Sequence, residues 1–168
     1  MATFGTFVSG QILTAAELNG AGEWQTYTPT WTQSATITKT VNWARYTQLN
    51  KLVIGSIKMT ATSAGTANNK ILVGLPVNAS SSNFIIGTAI LHDLSVTNFQ
   101  FLPVSAFYES ASTMSFSVML GRTGNPFIDG QSDATKRAGE NFVSGTSYAG
   151  ITVASTDIIY VQFMYEAS

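Results

Sequence analysis

Thr113-Met114-Ser115-Phe116-Ser117-Val118-Met119-Leu120 decides the fold class. Met114, Phe116, Val118 and Leu120 share one parity, and Thr113, Ser115, Ser117 and Met119 share the other. Successive side chains of an extended chain point to opposite faces, so this stretch predicts a strand with one apolar face and one mostly hydroxyl face. Ala35, Ile37, Val41 and Trp43 alternate in the same way with Thr36, Thr38, Thr40 and Asn42, interrupted at Lys39, and predict a second half-buried strand with Trp43 in the core. Trp24 and Trp31 are expected at a domain or subunit boundary, where a large ring with a polar edge is at home.

Working outward, Leu49-Asn50-Lys51-Leu52 predicts a tight turn between a strand ending near Gln48 and one running from about Leu52 to Thr62. Lys70 to Leu75, Phe84 to Leu94, Phe99 to Tyr108 and Ser147 to Val153 are further strand candidates. Asp157 to Tyr165 carries apolar residues at both parities and is expected to be buried on both faces. Roughly eight to ten short strands joined by Gly-, Asn- and Ser-rich turns predict an all-β fold, a jelly-roll-like antiparallel sandwich. Residues 23-168 would form that domain. Residues 1-22 would form an arm with one helical turn, because Thr14 and Glu17 have capping-box spacing and Asn19-Gly20 ends the turn. So short a helix needs a surface to dock on, and Leu13, Ala16 and Leu18 supply the contacts.

Composition narrows the function. Of the 168 residues 10% are charged and 45% hydrophobic. An average soluble domain is roughly 25% charged, so the surface here must be rich in hydroxyls and amides. Net charge is −1 and the basic residues are scattered, which argues against nucleic acid as a partner and against an anionic membrane. No apolar run reaches membrane-spanning length, and the first residues lack a secretory pattern, so synthesis in a cytoplasm is expected. With no cysteine and one histidine, zinc and similar metals lack ligands, and neither a metal nor a cofactor is expected. Asn78-Ala79-Ser80 matches a glycosylation sequon and is read as a turn after Leu75-Pro76.

Catalysis finds little footing. His92 and Asp93 are neighbours on a strand and point to opposite faces, so they cannot form the oriented base that a hydrolytic triad needs. Glycoside hydrolysis requires two facing carboxylates, and only Asp129, Asp133 and Glu140 gather in one loop. Glu109, Asp93 and Asp157 look like strand-end residues. Gly121-Arg122-Thr123-Gly124 lacks the lysine and hydroxyl of a phosphate-cradling loop. The chain is therefore expected not to be an enzyme. The long irregular stretch Gly121 to Gly145 holds the candidate surface-contact residues Asn125, Phe127, Asp129, Asp133, Lys136 and Arg137. Trp24, Tyr27, Trp31, Trp43 and Tyr46 lie close in sequence and could be read as a sugar-stacking platform.

Four segments resemble one family. Phe7-Val8-Ser9-Gly10-Gln11-Ile12-Leu13-Thr14-Ala15-Ala16-Glu17-Leu18-Asn19 is similar to the start of many bacteriophage minor tail and tail-fibre proteins. Trp24-Gln25-Thr26-Tyr27-Thr28-Pro29-Thr30-Trp31-Thr32 resembles the entry to their β domains, and Ala44-Arg45-Tyr46-Thr47-Gln48-Leu49-Asn50-Lys51-Leu52-Val53 their Arg-Tyr-x-Gln-x-Gly-Lys hairpin, with Asn50 in the glycine position. The ending Asp157 to Ala167 resembles their last strand, with its final Tyr-Glu-Ala. The resemblance implies a receptor-binding or tail-fibre protein of the virion exterior, built as a homotrimer. Its arm, through Leu13, Thr14, Glu17 and Leu18, would attach to other virion proteins, and its loops would face outward with a bacterial cell-surface glycan as candidate receptor. A capsid decoration or head fibre that binds only virion proteins is the competing expectation, and an enzyme acting on envelope polysaccharide a third.

Overall fold

The computed structural model describes Gly10, Ile12 and residues 22–66, 69–95, 100–117 and 152–168. Among them ten strands form one antiparallel sheet: β1 (Gln25–Thr26), β2 (Trp31–Gln33), β3 (Ala35–Thr36), β4 (Lys39–Leu49), β5 (Leu52–Ala61), β6 (Ile71–Gly74), β7 (Ile85–Asp93), β8 (Gln100–Ser110), β9 (Thr113–Ser117) and β10 (Ile158–Glu166). Their order is β1-β4-β5-β10-β7-β8-β9-β6-β2-β3. The all-β antiparallel class expected from periodicity is the class observed. The expected helical turn at Thr14 to Asn19, the loop Gly121 to Gly145 and most of the candidate strand Ser147 to Val153 lie outside the described residues. Thr152 and Val153, at the end of that candidate, are in no strand.

The sheet curls into a sandwich-like shape with one core on its concave side. β5 shows why: Val53, Ile57, Met59 and Ala61 are buried and alternate with Ile54, Ser56, Lys58 and Thr60, which are not. Ile159, Val161, Phe163 and Tyr165 of β10 join them, as do Ile86, Ala89 and Leu91 of β7. Trp31, Ile71, Val73 and Met114 from β2, β6 and β9 close the same cluster from the far half of the sheet. Hydrogen bonds tie the halves together. The Thr66 N–H, past the end of β5, donates to the Gln33 carbonyl in β2 (3.1 Å). The Tyr165 hydroxyl in the middle of the sheet donates to the Val77 carbonyl just past β6 (2.6 Å).

The β4–β5 hairpin turns where the Leu49-Asn50-Lys51-Leu52 pattern places it. Asn50 has φ +55°, a left-handed conformation that asparagine tolerates better than other side chains bearing a Cβ. Four expectations need correction. Ala35 to Trp43 is not one strand, because the chain turns at Ser34 (φ +67°), pairs β3 with β2 and starts β4 only at Lys39. Trp43 is not in the core. The β4–β5 ladder slips between Val41 and Trp43, leaving Asn42 as an extra residue, and a single such bulge inverts the parity of everything after it. Ala44 and Tyr46 point inward in its place, and Trp43 is 45% exposed. Nor is β10 buried on both faces, since Gln162, Met164 and Glu166 are exposed along its outer side. Trp31, expected at a boundary, is fully buried, whereas Trp24 is half exposed.

Candidate functional site

The outward residues of β4, β5, β10, β7 and β8 make rows that run straight across the sheet. Arg45 pairs with Ser56, Ser56 with Gln162, Gln162 with Thr88, and Thr88 with Ser105, a row of five polar side chains. One step along, Trp43 pairs with Lys58, Lys58 with Tyr160, Tyr160 with Ile90, and Ile90 with Pro103, giving an aromatic and apolar row beside the polar one. Opposed residues in an antiparallel pair share a face, so both rows present their side chains to the same side. His92 and Phe101 continue the apolar side, with their rings stacked at 4.0 Å.

Apart from Lys58, the residues of both rows line a solvent-open groove of about 1010 Å³. A second stretch of about 610 Å³, lined by Trp24, Ile54, Ile85 and Met164, shares Arg45, Ser56, Thr88 and Gln162 with the first, so the two are continuous. The first stretch alone is at the upper limit of ligand-holding clefts, which run to roughly 1,000 Å³. The groove is uncommonly rich in exposed rings and aliphatic chains: Phe101 is 62% exposed, Met164 60% and Ile90 43%. One cation, Arg45, lines it, and a second, Lys58, rests against two of its rings. The Lys58 ammonium lies 5.2 Å from the Trp43 ring centre and 5.0 Å from that of Tyr160, and the Arg45 guanidinium lies 5.0 Å over Trp24. These are cation–π distances, and they hold the long side chains against the rings. No carboxylate lines either stretch among the described residues, and the ion pairs found there, Lys51–Glu166 and Lys70–Glu109, involve neither cation.

The sugar-stacking platform read from sequence divides between the two faces. Trp24 and Trp43 reach the groove. Trp31 and Tyr46 are core, and Tyr27 packs edge-on against Tyr46, its hydroxyl held protonated by burial. The attachment residues Leu13, Thr14, Glu17 and Leu18 lie outside the described residues, as do the contact residues Asn125, Phe127, Asp129, Asp133, Lys136 and Arg137 and the loop acid Glu140. Arg45, Lys58, Tyr160, Gln162 and Phe101 were not singled out by sequence reasoning. The apolar residues at both parities of β10 were the available signal, because the outer parity lines the groove instead of a second core.

Asp93 and Asp157, expected as strand-end residues, close β7 and precede β10, and both are buried. Asp93 accepts from Ser95 Oγ (2.7 Å) and the Ser95 N–H (3.0 Å), on the face away from His92. Asp157 accepts from the N–H groups of Leu94 (2.9 Å), Ser95 (3.2 Å) and Ala154 (2.8 Å). Burial raises the Asp157 pKa above the usual carboxylate value, and the neighbouring Asp93 charge adds to it, while the amide donors pull it back. The pair fastens loops to strand ends. No cluster of three or more His, Cys, Asp or Glu side chains suited to a metal ion occurs among the described residues. No helix among them is long and apolar enough to cross a membrane. No protein-family model, no curated protein and no solved structure matches this chain.

Proposed function

We propose that this chain is a non-enzymatic structural part of a bacteriophage virion, a tail-fibre or receptor-binding component, and that the outer face of β4, β5, β10, β7 and β8 is where it meets the host cell. The groove carries this reading. Its polar row supplies hydroxyl and amide donors and acceptors, and its flanking rows supply ring faces, the two things a sugar polymer requires of a site. It holds a ligand and breaks no bond. Residues 1-22 would anchor the module to other virion proteins. A homotrimer would multiply weak contacts, because a second and third groove engage at high effective concentration once the first is bound.

The test is binding of the purified chain to host cells with Trp43→Ala and Tyr160→Ala. Both side chains are outward, so the fold should persist, and cell binding is expected to fall by at least about tenfold. Unchanged binding by both variants, with unfolding curves like the parent's, overturns the reading.

The capsid-decoration reading has one observation in its favour. Phe84 is 74% exposed and lies edge-on to Phe107, and the exposed Ile85 and Met164 line the second stretch of the groove; exposed apolar side chains of this kind mark protein contacts. Phe84→Ser would then abolish incorporation into particles, and cell binding would be absent from the parent chain.

A further inference from the structure

Resting on the reading of this groove as the contact face, we propose that its ligand is an acidic saccharide, one whose rings carry carboxylate or phosphate groups. The groove opposes the charge of the rest of the molecule. The chain as a whole is at −1, yet among the described residues the charged side chains in the middle of this face, Arg45 and Lys58, are both positive, and the outward Glu166 lies at the far end of β10 beside Lys51. They stand diagonally on adjacent strands, since Arg45 opposes Ser56 and Lys58 is two residues further on, which sets them about 7–8 Å apart at the backbone. Each lies against an indole, Arg45 over Trp24 and Lys58 over Trp43, so cation and ring face are presented as a unit, twice over. A neutral glycan would use the rings and leave both cations without a partner. A bare polyanion would use the cations and leave the rings wet. An acidic saccharide uses both, and the Ser56, Thr88 and Gln162 side chains between them meet its hydroxyls.

A second copy of the chain fits less well. In a two-fold association this face would meet itself, setting Arg45 and Lys58 against their own counterparts with no carboxylate among the described lining residues to separate them.

The experiment measures binding of the full chain to oligogalacturonate and its carboxyl-reduced neutral form, and to phosphomannan and unphosphorylated mannan. Inorganic polyphosphate and oligothymidylate are the comparison ligands. The expected result is binding to at least one acidic saccharide, at least about tenfold tighter than to its neutral match and weakened by salt. Arg45→Ala and Lys58→Ala should each lower the affinity for the acidic form by roughly tenfold and for its neutral match by much less, so that the preference for the acidic form narrows. Trp43→Ala should lower both. The two acidic arms tell a carboxylate from a phosphate ligand. The proposal is overturned by equal binding of acidic and neutral forms, by no binding of either acidic form, by polyphosphate binding that Trp43→Ala leaves intact, or by tighter binding of oligothymidylate. Host-cell binding that needs Trp43 but neither cation sinks this proposal and spares the receptor function. Acidic-saccharide binding by a chain that ignores host cells does the reverse.

Discussion

Trp43 stands directly opposite Lys58 across the β4–β5 ladder, with the ammonium 5.2 Å from the indole centre, and the bulge at Asn42 is what puts the two on one face. Both side chains are reachable by water, so their attraction should be worth only about 0.5–1 kcal/mol. A double-mutant cycle of Trp43→Ala and Lys58→Ala, followed by urea unfolding, should give a coupling of that size. Strict additivity would mean that the ammonium does not rest on the ring in solution.

Phe163 lies over Gly55, its register partner, so closely that a Cβ at position 55 would collide with the ring. Gly55→Ala should therefore destabilise by about 1–3 kcal/mol through overpacking, and Phe163→Ala by about 3–5 kcal/mol through the lost ring. In the double variant the added methyl occupies space the ring has left, so its cost should fall well below the sum. The Arg45 carbonyl, which would lie 2.8 Å from that Cβ, keeps the rescue partial. An additive double variant would show that the ring is not the obstacle.

Gln33 is fully buried and joins three segments. Its Oε1 accepts from the Val153 N–H (3.0 Å), its Nε2 donates to the Asn69 carbonyl (3.2 Å), and its own carbonyl accepts from the Thr66 N–H (3.1 Å). Gln33→Leu keeps the apolar bulk and strands the buried Val153 N–H, which should cost about 1–3 kcal/mol in chemical unfolding. Gln33→Glu should cost more at neutral pH, because a carboxylate would be buried facing the Asn69 carbonyl. A silent Gln33→Leu would show that this bond adds nothing to stability.

How much could be read from the chain before folding depends on the range of the signal. The parity of Met114 and Phe116 in β9, and the turn at Asn50, are local and read directly. The bulge at Asn42 is also local but silent: Asn42 resembles any outward polar residue, and the parity inversion that sends Trp43 out and Ala44 in appears only when β5 is laid alongside. The polar row is less accessible still. Arg45, Ser56, Thr88, Ser105 and Gln162 come from five strands and become neighbours only because β10 inserts between β5 and β7. Nothing in the spacing of those residues announces that order. In β10 the signal is present, but apolar residues at both parities predict a second buried face as readily as a binding surface, because hydrophobicity alone does not tell the two apart.

Asp157 makes stability depend on pH in a direction that can be checked. Its folded pKa is raised, chiefly by burial, so the folded state holds the proton more tightly than the unfolded chain does. Its contribution is then greatest at low pH and is lost as pH rises from the ordinary carboxylate value, about 4, through the raised folded one. Glu109 has the opposite slope: the Lys70 ammonium at 2.9 Å holds its pKa down, so its contribution is lost as pH falls. Comparing Asp157→Asn with the parent cancels Glu109 and isolates Asp157. The variant keeps only one carboxamide oxygen for the donors on the two sides of the carboxylate, so it should be less stable by about 1–3 kcal/mol near pH 4. That deficit should shrink as pH rises, because the parent alone bears the cost of charging a buried carboxylate beside Asp93. Urea unfolding at intervals from pH 4 to pH 8 measures both curves. A deficit that stays constant or grows with pH would mean that the amide donors outweigh burial and that Asp157 is held ionised in the fold.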